Sequence, residues 1–413
     1  MRKILFQGQT KRNNPLLLIT IAVLIVVTVF SSFTDYSNYI IYPLWGICIL
    51  YIATYQGPLS RIEKTFVIVS FAFLALIFFY WILGISSMPV LGFLENFNWI
   101  MSGVVAVYAM KLFSSKDLTL VYNIMGLSLL LLLLLFISEG RVFIVSGDDY
   151  GAVEVAVAWY GSLFMLLSGL SLILFLNVNR IVPRIIAIVF LALTLFLNIS
   201  ILQRGTNVIM TLAELGLILI FLIKRKSVVI TLSIFVAVFI VIAFSSDNMI
   251  LIFDWLAQIS PSERLSTRFN EISVAIAYES VDAAGGSFTS RADLMNNSWY
   301  TFTSSFGHVL LGAGEHAADN TIIGHHSFFT DTLARYGLLG GALVLIYFVK
   351  QFQIYMASLS KKTEWSLYMQ CAIVFAFYVF RNYYGIVAYS LVNFVVLLFF
   401  PLTFQLIHYY KNK

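Results

Sequence analysis

The sequence predicts an all-α protein that crosses a membrane many times. Three observations support this: hydrophobic residues fill 60% of the 413 positions, charged residues fill 11%, and the mean hydropathy is +0.92. A soluble domain carries roughly a quarter charged residues, so the composition excludes an ordinary soluble enzyme. A membrane-spanning helix needs about 20 apolar residues, and most of the chain divides into segments of that kind.

The apolar segments predict about 12 transmembrane helices. One large external loop separates the ninth span from the tenth, so the chain divides into 1–246, 247–327 and 328–413. The predicted spans are Pro15–Phe33, Tyr39–Tyr55, Thr65–Ile85, Phe97–Phe113, Leu118–Ile137, Val155–Leu176, Ile185–Leu202, Asn207–Ile223, Val228–Phe244, Phe328–Val349, Trp365–Phe380 and Ile386–Ile407.

The lysines set the orientation of these spans. Every lysine of the sequence falls on one side of the predicted topology. The positive-inside rule makes that side cytoplasmic, and it puts both termini there. The net charge of +5 therefore reflects topology, and it gives no indication of a nucleic-acid partner.

Arginine is distributed differently from lysine. Seven arginines fall on the external side: Arg141, Arg204, Arg264, Arg268, Arg291, Arg335 and Arg381. The planar guanidinium group binds phosphate and carboxylate with two parallel hydrogen bonds, which lysine cannot do. External arginine without external lysine predicts an external site for an anion. The alternative is that these arginines form ion pairs with external acidic residues.

The external loop is predicted to contain two helices. Ser262 to Tyr278 has amphipathic spacing, which predicts a helix lying on the membrane surface. Ser290-Arg291-Ala292-Asp293 resembles a capping box that opens a second helix, with an apolar stripe of Met295, Trp299, Phe302 and Phe306. Arg291 would then lie in the first helical turn, beside free N–H groups that could hold a phosphate. Alternatively, Arg291 pairs with Asp293 or with lipid headgroups.

Two histidines, His325 and His326, directly precede the predicted tenth span. Ser327 is a candidate N-cap, so His326 is predicted at the outer surface, near the positive end of a helix dipole that favours the neutral ring. A neutral imidazole can act as a general base. Alternatively, both histidines only line the interface. Arg335, one turn after Asp331, is predicted to lie deeper in the membrane and to pair with that carboxylate.

The sequence indicates no cofactor. It has no Walker motif or dinucleotide fingerprint, so any reaction must draw its energy from the substrate. His308, His316 and His325 lack the spacing of hydrolytic zinc sites, and no metal is expected. Glu214 lies within the eighth span, where an ionisable group is costly. It is either a functional carboxylate or a structural partner for an arginine or another polar side chain.

The pattern resembles the bacterial O-antigen polymerase and O-antigen ligase superfamily. The resemblance covers the whole topology and rests on short motifs in a fixed order. They are Gln203-Arg204-Gly205-Thr206 at a span end, Ser290-Arg291 in the loop, Gly312-Ala313-Gly314, His326-Ser327 at the next span, and the glycines Gly337 and Gly340. Related ligases show histidine followed by asparagine, whereas this chain has His325-His326-Ser327.

The resemblance implies a lipid-linked glycosyltransferase with a GT-C-like fold in the bacterial cytoplasmic membrane. The donor would be a growing glycan on undecaprenyl pyrophosphate, and the product an O-antigen, another lipopolysaccharide chain or a capsule. Arginines would hold the pyrophosphate, and His326, or else His325, would be the base. A chain-length regulator and a flippase would be partners, together with membrane lipid.

Two alternatives stay open. An O-antigen ligase would transfer the finished glycan to another acceptor, although nothing in the sequence indicates a lipid A-core or protein acceptor. A lipid-linked oligosaccharide flippase would be expected to have repeated halves, broken helices and polar sites near the membrane midplane. The polar residues gather instead in one external loop, and the two halves of the sequence do not match, so the sequence favours an enzyme.

Overall fold

The structure is a computed structural model in which every described residue in a regular element is helical. It describes residues 15–30, 37–55, 57–83, 90–146, 150–198, 205–221, 246–260, 263–277, 286–314, 323–324, 327–359, 364–383 and 389–411. The all-α prediction is confirmed for these ranges.

The first eight helices belong to the predicted spans one to eight. They are α1 (Pro15–Val29), α2 (Ser37–Ala53), α3 (Arg61–Ile82), α4 (Val90–Leu112), α5 (Ser115–Ser146), α6 (Tyr150–Asn177), α7 (Ile181–Phe196) and α8 (Gly205–Ile220).

The later helices include the predicted external loop and the last three spans. They are α9 (Ser246–Ile259), α10 (Glu263–Ala277), α11 (Gly286–Thr303), α12 (Phe306–Leu311), α13 (Phe328–Ala357), α14 (Trp365–Tyr383), α15 (Tyr389–Phe394), a π-helical turn (Val395–Phe399) and α16 (Phe400–Lys411).

By length and composition, four helical segments of the described chain could cross a membrane: Arg61–Ile82, Lys116–Ser138, Tyr160–Asn177 and Phe328–Ala357, the last of which is interrupted at Gly337. Several shorter apolar helices accompany them, including Pro15–Val29 and Ile181–Phe196. These helices support a membrane protein. The predicted span Val228–Phe244 lies outside the described residues, so the number of 12 spans stays a prediction.

Contacts between helix ends agree with an alternating topology. Lys111 at the end of α4 forms an ion pair with Glu63 at the start of α3, with 3.1 Å between Nζ and Oε1. The rings of Phe221, after α8, and Trp365, at the start of α14, lie 5.3 Å apart. Each contact thus joins two helix ends that the predicted topology places at one lysine-bearing end of the bundle. Which side of the membrane it faces stays a prediction.

Helix α13 is broken at Gly337, which has φ 61° and ψ −161°. The rings of Phe328 and Phe329 lie 5.9 and 5.6 Å from the ring of Phe348. A straight helix would separate residues 328 and 348 by about 30 Å. Residues 328–336 therefore fold back, antiparallel to residues 338–357. The prediction of one continuous span from Phe328 is wrong, because the left-handed glycine reverses the chain.

Two glycine segments stabilise this reversal. Gly312, with φ 79°, lies against the end of the 328–336 half-helix, where a Cβ would come within 2.3 Å of the Arg335 carbonyl group. The N–H groups of Ala313 and Gly314 donate to the carbonyl oxygens of Ala334 and Arg335 at 2.8 and 3.0 Å. The segment Gly312-Ala313-Gly314 therefore lies against the break at Gly337. Its N–H groups satisfy carbonyl groups that the broken helix leaves without a helical partner.

The predicted surface helix exists as α10, but its apolar side faces another helix. Phe269 of α10 is buried against Phe253 and Ala257 of α9, with Ile272 packed beside them. Phe269 therefore packs on α9, and whether the α9–α10 pair lies on the membrane surface stays a prediction. The sequence pattern of α10 could not reveal this contact, because α9 supplies the apolar partner surface.

Candidate functional site

The N-terminal end of the 328–336 half-helix is fixed by its N-cap residue, Ser327. Ser327 is fully buried, and its Oγ accepts a hydrogen bond from the N–H of Thr330 at 3.4 Å. The N–H of Ser327 donates to Oδ2 of Asp331 at 3.2 Å. The predicted N-cap is confirmed, and Asp331 is bound to the start of its own helix.

Ser298 of α11 connects this cap to the segment before it. Its hydroxyl donates to Oδ1 of Asp331 at 2.5 Å, and its Oγ accepts the N–H of Gly324 at 2.9 Å. Asp331 and Ser298 therefore hold Gly324 and Ser327, the residues on either side of His325-His326. The predicted Asp331–Arg335 ion pair is not among these contacts.

Helix α11 approaches Gly324 at backbone distance. A Cβ at Gly324 would lie 1.8 Å from the carbonyl oxygen of Leu294, so only glycine fits there. Arg291 lies one helical turn before Leu294 on the same helix. Helix α11, which carries Arg291, thus contacts Gly324, the residue directly before His325-His326. The Arg291 side chain, and both His325 and His326, lie outside the described residues.

The cap lies inside the bundle. The ring of Phe328 contacts Trp99 of α4, with centroids 5.6 Å apart. Trp99 is about 18 Å along α4 from Lys111, near the middle of that helix. Tyr336, at the other end of the half-helix, contacts Tyr80 near the end of α3. The start of the half-helix therefore lies nearer the middle of the bundle than Tyr336 does, because residues 328–336 run back toward the end of α3. The predicted position of His326 at the outer surface, with Arg335 deeper, stays a prediction.

The first helical turn of α11 is not where the sequence predicted it. The helix begins at Gly286, so Arg291 is in the second turn and its N–H lies within the helical hydrogen-bond pattern. The predicted phosphate cradle of free N–H groups at Arg291 is wrong. The predicted capping box had aspartate where the motif has glutamate or glutamine, whose longer side chain reaches back to the N-cap.

The buried face of α11 also differs from the predicted apolar stripe. Ser298, Thr301 and Phe302 are buried, whereas Trp299 is 52% exposed. Polar contacts to Asp331 and Gly324 turn the helix so that Ser298 faces inward. A stripe defined by apolar residues alone could not identify Ser298.

The other predicted arginines are distributed over neighbouring elements. Arg264 and Arg268 belong to α10, which contacts both α8 and α11, but their side chains lie outside the described residues. Arg204 directly precedes α8 and also lies outside them. Arg335 is half-buried, and Arg381 is buried near the end of α14. The structure thus brings α8, α10, α11 and α13 together without defining the geometry of an anion site.

His308 has a structural role. Its Nδ1 lies 2.6 Å from Ser304 Oγ and 3.2 Å from the carbonyl oxygen of Thr301. Its own carbonyl accepts the N–H of Gly312 at 2.8 Å. Within the described ranges no three His, Cys, Asp or Glu side chains gather as a metal site requires. His316 lies outside those ranges, so the expectation that the protein binds no metal stays a prediction.

The chain matches no protein-family model and no curated protein sequence. The functional argument therefore depends on the residues and contacts described above.

Proposed function

We propose that this protein is a metal-independent glycosyltransferase with a GT-C-like architecture, which joins undecaprenyl-pyrophosphate-linked oligosaccharide repeat units at the outer face of a bacterial cytoplasmic membrane. The observation that supports it most is the contact between α11, which carries Arg291, and Gly324, which directly precedes His325-His326 in the sequence. A polymerase of this kind needs a cationic group for the leaving pyrophosphate near a base for the acceptor.

The reaction would be a direct glycosyl transfer. A hydroxyl oxygen of the new repeat unit attacks the anomeric carbon of the growing glycan. The bond from that carbon to the pyrophosphate oxygen breaks, and undecaprenyl pyrophosphate leaves with the electron pair. The hydroxyl proton passes to His326, or to His325 if that ring faces the acceptor. The donor's own pyrophosphate is the leaving group, so the reaction balances without a nucleotide or a metal ion.

The arginines would offset the charge on the leaving group. Arg204 and Arg291 are assigned to the pyrophosphate, and Arg264, Arg268, Arg335 and Arg381 to the wider anionic surface of the donor. Preorganised cations at developing negative charge are among the largest contributions to catalysis. The fork of arginine matters, since it binds two phosphate oxygens at once.

The direct test is a reaction in detergent solution. The purified full-length chain is mixed with lipid-linked repeat units, and the products are separated by size. A ladder of lipid-linked polymers is expected, with release of undecaprenyl pyrophosphate. Absence of any new covalent product, with folded protein and authentic substrate, would contradict the proposal. Transfer only to an added lipid A-core acceptor would indicate a ligase.

Variants then assign the roles. His326→Ala is expected to lose about a hundred- to ten-thousandfold in rate, as removal of a general base does, while His325→Ala keeps a ladder. Arg291→Lys retains charge but loses the fork and should also fail. Arg61→Lys, at the exposed start of α3, is the matched control and should polymerise normally. The reverse result for the two histidines would transfer the base role to His325.

A lipid-linked oligosaccharide transporter is the second candidate. The broken helix at Gly337 and the buried Gln351–Asn393 hydrogen bond of 2.8 Å are features that transporters share. Detergent solution has no compartments, so a transporter would give no covalent product there. It would instead move labelled substrate across the bilayer of proteoliposomes.

A further inference from the structure

Glu214 is a carboxyl group buried at the contact of three helices. Its side chain has no exposed surface, and neither Oε1 nor Oε2 has a hydrogen-bond partner in the described structure. Helix α8, which carries it, packs against α6 and α14. A Cβ built on Gly169 of α6 would lie 2.5 Å from Oε1 and 2.8 Å from Cγ2 of Val374. The carboxyl group thus fills the space that a glycine leaves.

The polar groups near Glu214 have other partners. Tyr355 of α13 interacts electrostatically with Glu214, but its hydroxyl donates to the carbonyl oxygen of Cys371 at 2.9 Å. Gln370 of α14 donates to the carbonyl oxygen of Ile218 at 3.4 Å and accepts from Asn177 at 3.1 Å. Among the described residues, Tyr355 is a titratable group that interacts with Glu214, and it carries no charge opposite to a carboxylate.

These surroundings fit a proton and no larger cation. A bound metal ion needs several oxygen ligands, and within the described ranges no three His, Cys, Asp or Glu side chains gather around this carboxyl group. An ionised carboxylate without a partner in an apolar interior is costly, whereas the neutral acid is tolerated. Ionisable residues kept inside a membrane bundle usually serve a function, because their burial opposes stability.

We propose that Glu214 is a proton-exchange site within the bundle. The carboxyl group is the neutral acid while α8 packs on α6 and α14. When these helices separate, water reaches the group and it releases its proton; repacking takes the proton up again. This site lies apart from the α11–α13 contact, and it goes beyond the proposed glycosyl transfer.

Infrared spectroscopy of the full-length protein in lipid nanodiscs tests the proposal. The difference between wild type and Glu214→Gln should contain the carbonyl band of a protonated carboxylic acid, and transfer to D2O should lower its frequency. A missing band would mean an ionised group and would overturn the proposal. A band that stays unchanged in D2O over hours would mean a fixed proton, which also overturns it. No substrate is needed, so failure of the polymerase proposal leaves this test intact.

Two glycine variants test the location. Gly169→Ala puts a methyl group 2.5 Å from Oε1, which forces the carboxyl group to move, and should shift or abolish the Glu214 band. Gly216→Ala changes the same helix as Glu214, but its Cβ meets nothing within 4 Å, so the band should stay as in wild type. Identical spectra from both folded variants would overturn the assigned contact. If Gly169→Ala does not fold, the Glu214→Gln comparison still decides between exchange and its absence.

Discussion

Asp331 and Glu214 are two buried carboxyl groups with opposite surroundings. Asp331 accepts hydrogen bonds from Ser298 Oγ and the N–H of Ser327, whereas neither oxygen of Glu214 has a partner in the described structure. A carboxyl group with donors specifies a geometry, because moving it leaves those donors unsatisfied. A buried carboxyl group without donors does not specify a geometry, and its burial destabilises the folded state. Asp331 therefore fixes Ser327 directly and Gly324 through Ser298, whereas Glu214 is the carboxyl group for which we propose proton exchange.

The largest expected effect comes from removing the paired carboxylate. Asp331→Leu leaves the Ser327 N–H and the Ser298 hydroxyl without an acceptor in a buried site. Each unsatisfied group costs about 1–3 kcal/mol, so a loss of about 2–6 kcal/mol in the free energy of unfolding is expected. Titration with sodium dodecyl sulfate, followed by fluorescence, measures it. Stability equal to wild type would show that the Ser298–Asp331–Ser327 network does not hold this region.

Breaking the chain reversal should cost slightly less. Gly337→Ala forces a Cβ onto a residue with φ 61°, within 2.5 Å of the Leu310 carbonyl group. The backbone strain costs about 1–2 kcal/mol and the crowding about 1–3 kcal/mol, so the expected loss is about 2–5 kcal/mol. Gly307→Ala is the control, because its Cβ would meet only Ser305 Oγ at 3.8 Å. Equal unfolding curves for the two variants would contradict the fold-back.

Some of this arrangement follows from the sequence and some does not. Apolar length predicted most helices, and Ser327 was recognisable as an N-cap because capping depends on neighbouring residues. The reversal at Gly337 could not be recognised from the sequence. A glycine within an apolar segment is compatible with a continuous helix, and only the structure shows that Gly312 lies near it. Ser298 was missed for the same reason. Its importance comes from Asp331 and Gly324, which are 33 and 26 residues away.

Removing Ser298 should have a smaller effect than removing Asp331. Ser298→Ala leaves the Gly324 N–H without its acceptor and takes one donor from Asp331, which keeps the Ser327 N–H. A loss of about 1–3 kcal/mol is expected in the same titration. Ser304→Ala is the comparison, because its hydroxyl lies beside the partly exposed His308 and should matter less. In the polymerase assay, Ser298→Ala should lower the rate more than Ser304→Ala, if Ser298 positions the segment that carries the histidines.

The smallest expected change in stability belongs to Glu214→Leu. Leucine has a similar volume and no polar atoms, so it removes two unsatisfied oxygens and leaves no donor behind. Replacing a buried polar group with an apolar one of similar shape is often neutral or stabilising, and a change between zero and a gain of about 1 kcal/mol is expected. The detergent titration used for Asp331→Leu measures the stability changes of both variants on one scale. A loss comparable to that of Asp331→Leu would mean that Glu214 has a partner in the folded protein, and the contrast between the two carboxyl groups would fail. A neutral result combined with loss of the exchangeable carbonyl band would show that the group is retained for its proton rather than for the fold.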